Sequence, residues 1–478
     1  MRKIIFLLMM AVISLSLISC SINEEESILS KEKPITVTVW HYYNRTTKEA
    51  FDALVSAFND TVGMEKGIVV DAKSQGDVNQ LAEAVFDAAS QSIGSMPLPD
   101  IFASYPDNAF RVHEIVPLVP LSEYFSEDEL AAYRLEFLEE GQFITDNKFY
   151  IMPIAKSSEN LYVNKTAWET FAKEHNFTTD DLSTWEGIYN VAQTYYNESG
   201  KGFYGLDALA NYIIVSSKQL NEPLYTYSED GTAQFHISEK LGKKIWNYYY
   251  RPHIQGYYIK SGRFSSDDAK TGAVLSYTGS TAGAPYFPKN VVVDEDQTMH
   301  IEPLVLPYPY FENGDKVSIQ QGAGMSITRS DKAHEYASAL FLKWFTQTEN
   351  NLRFAVSTGY YPSKNEALDG EKILEVAQLN DATQGAIIES IKASTVMFNE
   401  YKLYNNKPFK GSYKMRVLLD TFLLEKIQSD LILLEQRVES GENREAVIES
   451  MTSESAYNKW MEELSAEADK ILRNVGNE

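Results

Sequence analysis

The sequence has very little cysteine, few cations and, beyond its N-terminal end, no long apolar run. Cys20 is the only cysteine among 478 residues, which excludes an internal disulfide. No later segment approaches the roughly 20 apolar residues of a membrane span. Acidic residues outnumber Lys and Arg by 67 to 43, and the net charge of −24 disfavours binding to nucleic acid or anionic lipid.

Motifs for metal binding and catalysis are also missing from the sequence. The 7 histidines are scattered without the spacing of metal ligands, so we expect no metal and no cofactor. His113-Glu114 and His334-Glu335 lack the second histidine of a zinc metalloprotease helix, and residues 279–283 lack the spacing of a nucleophile elbow. We expect no catalytic residue. A secreted hydrolase using two of the 67 carboxylates stays the alternative from another class.

The N-terminal end has the three parts of a secretory signal. Arg2 and Lys3 precede an uninterrupted apolar run at residues 4–13, and small or apolar residues follow as far as Ser19. The run is too short and has the wrong flanks for a transmembrane anchor. We therefore expect residues 1–19 to be a cleaved signal peptide.

The segment Leu17-Ile18-Ser19-Cys20 resembles the lipobox of bacterial lipoproteins. The resemblance implies diacylglycerol on Cys20, cleavage before it, and a mature chain held outside the cytoplasm by acyl chains. An ordinary signal peptide with an incidental cysteine is the alternative. Residues 20–34 are polar, charged and aperiodic, which predicts a flexible tether.

Apolar and amphipathic segments alternate from residue 35 onward. Segments 35–40, 67–72 and 100–105 predict strands, and segments 46–58 and 78–89 have helical spacing. This βαβαβ order predicts a parallel sheet, with ligands bound beyond the carboxyl ends of its strands. Further strands are predicted at 150–155 and 273–278, and helices at 204–220, 332–346 and 455–474.

Five segments, taken in chain order, carry a family resemblance: ITVTVWHYYN, PDIFASYPDNAFRV, YIMPIAKSSENLYVNKTAW, LSTWEGIYNVAQ, and the stretch from LPYPYFENGDKVSIQQGAGMSITRSDKAHEYASALFLKWF to STGYYPSKNEA. Together they resemble the extracellular solute-binding proteins of bacterial ABC importers, in the group with maltose- and glycerol-3-phosphate-binding proteins. The resemblance implies an α/β fold of the periplasmic-binding-protein type, with two lobes, a hinge and discontinuous domains.

The resemblance also implies how the chain is divided. Residues 35–153 with 308–347 are expected to form the N-terminal lobe, and residues 154–307 with 348–478 the C-terminal lobe. The chain would cross between lobes near 151–155, 304–309 and 346–348. The implied partners are a small polar solute and the transmembrane subunits of an ABC permease. We expect contact with the membrane through the lipid anchor only, no binding of nucleic acid, and a monomeric protein.

The ligand-binding residues implied by position in the family line the cleft between the lobes. They are Trp40, His41, Tyr42, Tyr105, Asp107, Ser157, Ser158, Glu159, Gly279, Ser280, Gly322, Gly324, Tyr360, Tyr361, Tyr413 and Arg416. Several have structural alternatives: Trp40 as a core residue, Glu159 as a helix cap, and Gly322 and Gly324 as sites of tight packing.

The solute stays open between two classes. Tyrosine, with 30 residues the commonest aromatic, offers a flat apolar face and a hydroxyl, which suits sugars. A sugar or oligosaccharide is therefore the first expectation. Glycerol-3-phosphate or a glycerophosphodiester is the second, because an arginine in the segment that resembles the surroundings of Arg416 contacts phosphate in that branch of the family. A surface ion pair is the structural alternative for Arg416.

Overall fold

The computed structural model describes residues 28–262, 264–294, 297–378 and 385–475. The predicted signal peptide, Cys20 and most of the predicted tether lie outside these residues. In the described part of the chain, no helix is both long enough and apolar enough to cross a membrane.

The elements alternate between strand and helix in the first half of the chain and become mainly helical towards its end. The strands are, in chain order, β1 (Ile35–His41), β2 (Ile68–Ser74), β3 (Ile101–Ser104), β4 (Glu159–Asn164), β5 (Tyr204–Leu206), β6 (Tyr225–Tyr227), β7 (Ala233–Phe235), β8 (Ser276–Ser280), β9 (Asn290–Asp294), β10 (Gln297–His300), β11 (Pro303–Leu306), β12 (Val317–Ile319), β13 (Gly324–Ile327) and β14 (Lys402–Tyr404).

The α-helices are α1 (Arg45–Phe58), α2 (Val78–Ala89), α3 (Pro106–His113), α4 (Glu127–Ala131), α5 (Leu135–Glu139), α6 (Lys165–His175), α7 (Trp185–Ser199), α8 (Leu209–Gln219), α9 (Glu239–Ile245), α10 (Ser265–Lys270), α11 (Lys332–Phe345), α12 (Thr348–Thr358), α13 (Gly370–Gln378), α14 (Ala386–Glu400), α15 (Ser412–Glu439), α16 (Arg444–Met451) and α17 (Glu454–Arg473). Helices α1 and α9 continue through π-helical turns, Asn59–Gly63 and Trp246–Tyr250, into the short turns Met64–Lys66 and Arg251–Gln255. The 3-10 turns are Leu121–Glu123, Thr179–Leu182, Thr281–Tyr286 and Asn365–Ala367.

The first lobe is built on the sheet β13-β3-β1-β2. Strand β1 is parallel to β2 and β3, and β13 closes the edge antiparallel to β3. The predicted βαβαβ rhythm is therefore confirmed, because short β-branched runs alternate with amphipathic helices. Helix α2 begins in a capping box formed by Asp77 and Gln80, which satisfies free amides of its first turn.

The second lobe is built on the sheet β11-β4-β8-β5, in which β4 is antiparallel to both of its neighbours. Its main core surrounds Trp185, which is buried against Tyr212 and Tyr308. The first lobe has its own core around Phe51 and Phe341. Two sheets with separate cores make this a two-lobe α/β fold.

The chain segments that connect the lobes lie side by side. Met152 pairs with Met325, Ser157 with Gln321, and Lys156 with Tyr361, each through antiparallel backbone bridges. We call these segments, residues 152–158, 320–325 and 360–362, the hinge. Their bridges are isolated, so the strand predicted at 150–155 is not continuous.

Two segments pack in a different lobe from the one that the family resemblance implies. Tyr308 and Val317 lie in the core of the second lobe, so the second crossing falls at the hinge segment 320–325 and not at 304–309. Phe354 of α12 packs against Phe51 in the core of the first lobe. The remaining division of the chain between lobes stays a prediction.

Two predicted elements have different bounds. The helix expected over 204–220 is a strand, β5, followed by α8, because Tyr204 pairs with Ser276 of β8 and its hydroxyl lies 2.6 Å from Thr278 Oγ1. The strand expected over 273–278 begins at Ser276 and continues to Ser280, so Gly279 and Ser280 belong to β8. Predicted helices at 332–346 and 455–474 are confirmed by α11 and α17.

Candidate functional site

Three polar side chains from the first lobe gather where its parallel strands end. Tyr42 directly follows β1, Tyr105 follows β3, and Asp107 lies in the first turn of α3. Parallel strands end at one edge of a sheet, which brings these residues together. Pro106 begins α3 at a position where its missing N–H breaks no hydrogen bond, so the helix starts immediately after the strand.

The second lobe contributes the first turn of α15. Gly411 precedes the helix with φ +86°, a left-handed conformation that glycine adopts without strain. Tyr413 and Arg416 are three residues apart and therefore project from one face of the helix. They meet the first lobe in a pocket of about 400 Å³, counting space open to solvent. Its lining is Tyr42, Val78, Asn79, Leu81, Ala82, Ala103, Ser104, Tyr105, Asp107, Asn108, Ala323, Tyr413 and Arg416.

A second pocket, also of about 400 Å³, lies on the other side of Arg416. It shares Tyr105, Asp107 and Arg416 with the first pocket. Its remaining lining comprises Pro106, Ile214, Tyr225, Asn405, Asn406, Lys407, Pro408, Phe409, Ser412 and Leu419. The two pockets therefore form one cleft, divided by the side chains that both of them contact.

Arg416 is held by an amide and faces an aromatic ring. Its Nη2 donates to Asn211 Oδ1 at 2.7 Å, and its guanidinium carbon lies 5.9 Å from the centroid of the Tyr105 ring. Burial raises the pKa of Asp107, while the charge of Arg416 and the amide of Asn108 act in the opposite direction. Burial also raises the pKa of Tyr105 to about 12. Tyr105 is thus a neutral donor and acceptor at physiological pH.

The lobes touch at the rim of the cleft. The Arg111 guanidinium of α3 lies over the ring of Tyr413, with 4.1 Å from its carbon to the ring centroid, and its Nη2 donates to Asn108 Oδ1 at 2.9 Å. Burial and a hydrogen bond to Glu83 raise the pKa of Tyr413 to about 12. Because Arg111 and Glu83 belong to the first lobe and Tyr413 to the second, the cleft is closed on this side.

Tyr42 and Tyr360 join the first pocket to the hinge. Their hydroxyl oxygens are 3.1 Å apart, and burial raises the pKa of both phenols. The ring of Tyr360 stacks on Phe354, with 5.9 Å between centroids. Tyr360 therefore supports the cleft from beneath, whereas Tyr42 lines it.

Seven of the predicted residues lie in or beside the hinge, and Ser157, Ser158, Glu159 and Gly322 are four of them. Ser157 pairs with Gln321, and Ser158 Oγ donates to the Ile319 carbonyl at 2.7 Å. Gly322 has φ +88°, and a side chain there would meet the Ala155 carbonyl oxygen at 2.6 Å, so its role is close backbone packing. The carboxylate of Glu159 is buried at the start of β4.

Glu159 accepts two hydrogen bonds through the same oxygen. Asn211 Nδ2 donates to Oε1 at 2.6 Å and Gln321 Nε2 donates at 2.9 Å. Burial raises the pKa of Glu159 to about 7, with Asp207 acting in the same direction and Asn211 opposing it. Glu159 caps no helix. It contacts the partner of Arg416 instead.

Trp40, His41 and Tyr361 are core residues. Trp40 packs in the interior of the first lobe. His41 is fully buried, accepts a hydrogen bond from the Tyr43 amide at 3.1 Å, and stacks on the Tyr43 ring. Burial lowers its pKa to about 4, so the ring is neutral at physiological pH. Tyr361 packs edge-on against Phe398, away from the pockets. The structure does not bring these three residues to the cleft.

Three further predicted residues serve the packing of strands. A side chain at Gly324 would meet the Met152 carbonyl oxygen at 2.6 Å. Gly279 pairs with Asn160 inside the second sheet. Ser280 Oγ accepts from the Ala282 amide at 3.3 Å and so caps the 3-10 turn that follows β8. Of the sixteen predicted residues, the structure gathers Tyr42, Tyr105, Asp107, Tyr413 and Arg416 around the first pocket.

Several residues of the cleft were missed from the sequence. Asn211, the partner of Arg416, lies on α8, in which every residue except Lys218 is buried. Asn405, Asn406 and Lys407 follow the short strand β14. The run of polar residues between Tyr404 and Phe409 was the available signal, because exposed polar loops between aromatic residues often carry binding groups.

One group of three potential metal ligands is found among the described residues. Ligand atoms of Glu174, His175 and Glu198 lie within 4.8 Å of one another. The two glutamates are exposed, and His175 already contacts Glu198 at 2.7 Å through Nε2. These side chains belong to α6 and α7 and do not line the cleft.

The sequence profile described as "Bacterial extracellular solute-binding protein" matches residues 53–380. The chain belongs to this family. Its members bind solutes outside the cytoplasm. No curated protein matches the chain by sequence.

Solved structures share the two-lobe fold of this solute-binding protein at low sequence identity. A cyclic alpha-maltosyl-1,6-maltose binding protein from Arthrobacter globiformis is 17% identical with a TM-score of 0.67, covering 92% of this chain and 100% of that one. UgpB from Mycobacterium tuberculosis, in complex with glycerophosphocholine, is 19% identical with a TM-score of 0.59, covering 85% and 99%. Maltose-bound T. maritima MalE3 is 13% identical with a TM-score of 0.61, covering 91% and 99%.

Proposed function

We propose that this solute-binding protein captures a sugar or oligosaccharide in the cleft and delivers it to the permease of an ABC importer. The observation that carries the proposal is the pair of pockets that share Tyr105, Asp107 and Arg416 between the lobes. A ligand with two or more linked rings reaches both pockets at once. Aromatic faces beside a few charged hydrogen-bonding groups are the usual lining of such sites.

The charges in the cleft support a neutral ligand. The charge of Arg416 lowers the pKa values of both Asp107 and Glu159 against the effect of burial, so two protein carboxyl groups already interact with it. Sugar hydroxyls donate to carboxylates and accept from a guanidinium, whereas a phosphate has to compete with those carboxylates for Arg416. Tyr42, Tyr105, Tyr225 and Tyr413 supply apolar faces for sugar rings.

A phosphorylated polyol or a glycerophosphodiester is the second candidate. Lys407 lines the second pocket with Arg416, and two cations are a suitable pair for a phosphate. The structural likeness to the glycerophosphocholine-bound UgpB supports the same candidate. Likeness to proteins that bind cyclic maltosyl-maltose and maltose supports the sugar.

The remaining parts of the proposal concern the cellular setting. The chain is a lipoprotein attached to the outer face of the cell membrane through Cys20, and it acts as a monomer. It binds its solute without breaking a bond. The lobes close on the solute by rotation at the hinge, where few backbone segments have to change their dihedral angles.

A thermal-shift screen tests the proposal. The panel contains maltose, maltotriose, mannotriose, cyclic maltosyl-maltose, glycerol-3-phosphate and glycerophosphocholine. A ligand that binds only the folded state raises the unfolding midpoint with increasing concentration, by the equivalent of about 2.7 kcal/mol at a hundredfold excess over Kd. We expect this for at least one saccharide, and we expect the shift to vanish in Tyr105→Ala. Shifts from the phosphate compounds alone would select the second candidate. Cleavage of a saccharide during incubation would favour a hydrolase.

A further inference from the structure

Three polar side chains connect Arg416 to the hinge. Arg416 Nη2 donates to Asn211 Oδ1 at 2.7 Å, and Asn211 Nδ2 donates to Glu159 Oε1 at 2.6 Å. Gln321 Nε2 donates to the same oxygen of Glu159 at 2.9 Å. Asn211 is fully buried and Glu159 is 2% exposed, so water does not compete for these bonds.

Asn211 has one permitted orientation between its partners. A guanidinium only donates hydrogen bonds, and the amide oxygen is the single acceptor that the Asn211 side chain offers. The amide oxygen must therefore face Arg416 and the amide nitrogen must face Glu159. Rotation of the amide by half a turn breaks both contacts, and a buried polar group left unpaired is unfavourable.

We propose that Asn211 is a positioning residue, which fixes the Arg416 guanidinium in the cleft and couples its position through Glu159 to Gln321 in the hinge. The inference rests on the proposed function, because it gives the geometry of Arg416 a purpose in ligand capture. An arginine fixed before binding loses less conformational freedom when the ligand arrives. We call the series Arg416, Asn211, Glu159 and Gln321 the relay.

The neighbouring residue supplies a parallel contact to the other lobe. Gln320 Nε2 donates to Glu140 Oε2 at 2.7 Å, and Asn405 Nδ2, from the second pocket, donates to Glu140 Oε1 at 3.1 Å. Gln320 thus binds a buried carboxylate of the first lobe, Glu140, and Gln321 binds a buried carboxylate of the second lobe, Glu159. A rotation at this hinge segment changes both contacts, so side chains that line the cleft favour one hinge arrangement over another.

The surroundings of Glu159 determine how the relay responds to pH. Glu159 interacts electrostatically with charged or titratable side chains from several elements of the second lobe. They are Asp207, Arg416, Tyr162, Tyr204 and Tyr308. Asp207 is paired with Lys260 at 3.2 Å, which leaves Arg416 as the cation that acts directly on Glu159.

Asn211→Asp gives the sharpest test. This substitution keeps the oxygen that accepts from Arg416 but places a carboxyl group against Glu159. At pH 8 the two carboxylates repel each other. At pH 5 they share a proton and the hydrogen bond between them is restored. Asn211→Leu removes both contacts at either pH, and Gln321→Met removes only the contact with the hinge. Ser217→Ala, on the same buried helix with a hydroxyl bonded to its own helix, is the matched control.

The readout is the distance between the lobes in the absence of ligand. Spin labels at Glu49→Cys and Gln428→Cys, both exposed helix positions, are placed in a Cys20→Ser background that has no other cysteine. We expect the distance distribution of Asn211→Asp to match the wild type at pH 5 and to broaden at pH 8. The distance distributions of Asn211→Leu and Gln321→Met should be broad at both pH values. The distribution of Ser217→Ala should match the wild type at both.

The same variants are then titrated with maltotriose. If the wild type binds it, Asn211→Asp should bind at least tenfold more weakly at pH 8 than at pH 5. A wild type that binds no compound of the panel contradicts the proposed function, while the distance measurement still decides the relay. Distributions of Asn211→Asp and Asn211→Leu that match Ser217→Ala at both pH values would overturn the relay.

Discussion

Arg416 and Tyr105 face each other across the cleft, with the guanidinium carbon 5.9 Å from the centre of the tyrosine ring. One residue comes from a helix of the second lobe and the other from the end of a strand in the first. The contact therefore exists only while the lobes are close together. A cation beside an aromatic face is stabilising by about 0.5–2 kcal/mol, depending on its exposure.

The chemistry of the solute is decided by Arg416→Ala. If the solute carries a phosphate, loss of the charge-assisted bond should weaken binding by about 2–5 kcal/mol, and the affinity should fall steeply with salt. If the solute is a neutral sugar, as we propose, the loss should be smaller and Tyr105→Ala should be more damaging through lost stacking area. Calorimetric titration measures both variants. Arg437→Ala, on the exposed end of the same helix, is the control and should bind as the wild type does.

The hydrogen bond between Tyr42 and Tyr360 should be measurable in a double-mutant cycle. Tyr42→Phe and Tyr360→Phe each remove one hydroxyl of the pair, whose oxygens are 3.1 Å apart. We expect a coupling free energy of about 1 kcal/mol in the stability to urea, the usual net value of such a bond. Strictly additive effects would show that the two hydroxyls do not interact.

The buried ion pair of Glu140 and Lys156 should be sensitive to the loss of either partner. Their side chains are 6% and 2% exposed, and Lys156 also donates to the Gly322 carbonyl at 2.8 Å. Glu140→Gln leaves a cation buried without its partner, which should lower the free energy of unfolding by about 3–5 kcal/mol. Adding Lys156→Met should recover part of that loss. Urea denaturation checks this, with Lys459→Met from the exposed Lys459–Glu463 pair as the control, expected within about 1 kcal/mol of the wild type.

Glu159 should make the protein less stable as pH rises. Its pKa is raised to about 7 by burial, so the folded protein keeps a proton that the unfolded chain has released. Between the ordinary carboxyl pKa and about 7, the unfolded state therefore binds fewer protons, and stability falls as pH increases. Relative to the wild type, Glu159→Gln should gain about 2 kcal/mol of stability between pH 5 and pH 8, at 1.36 kcal/mol per unit of pKa. Exposed Glu169→Gln should show no such trend.

The lipid anchor is tested by Cys20→Ser. The mutant should appear in the medium or remain unprocessed, because no other cysteine can accept a lipid. Fractionation of cells and immunoblotting measure its location and size. A mutant that stays bound to the membrane and is cleaved normally would exclude Cys20 as the anchor.

The first lobe was predictable because its signals are local. β1, β2 and β3 are short β-branched or apolar runs between helices with helical spacing, and each was located within two residues from the sequence. β5 was not predictable, because Tyr204 becomes a strand residue only by pairing with β8, some 70 positions further along the chain. Without knowledge of the pairing with β8, the sequence that follows Tyr204 favours a helix.

The site was predictable only in part, for a similar reason. Tyr105 was predicted from its place at the end of a strand, and Arg416 was predicted from the family resemblance. His41 was misplaced because the direction of the side chain at the end of β1 is decided by contact with Phe51 on α1. Asn211 gave no signal, because the sequence of α8 does not show which of its polar residues are buried or what they contact. Its role depends on Glu159 and Arg416, which lie 52 and 205 positions away.

The most direct test of the account is a calorimetric titration of the wild type and of the double variant Tyr105→Ala/Arg416→Ala. The titrant is the saccharide of the panel that gives the largest thermal shift. We predict saturable binding of one saccharide per wild-type protein and an affinity at least a hundredfold lower in the double variant, about 2.7 kcal/mol. Equal affinities in the two proteins would contradict the account, because the saccharide would then bind outside the cleft that Tyr105 and Arg416 define.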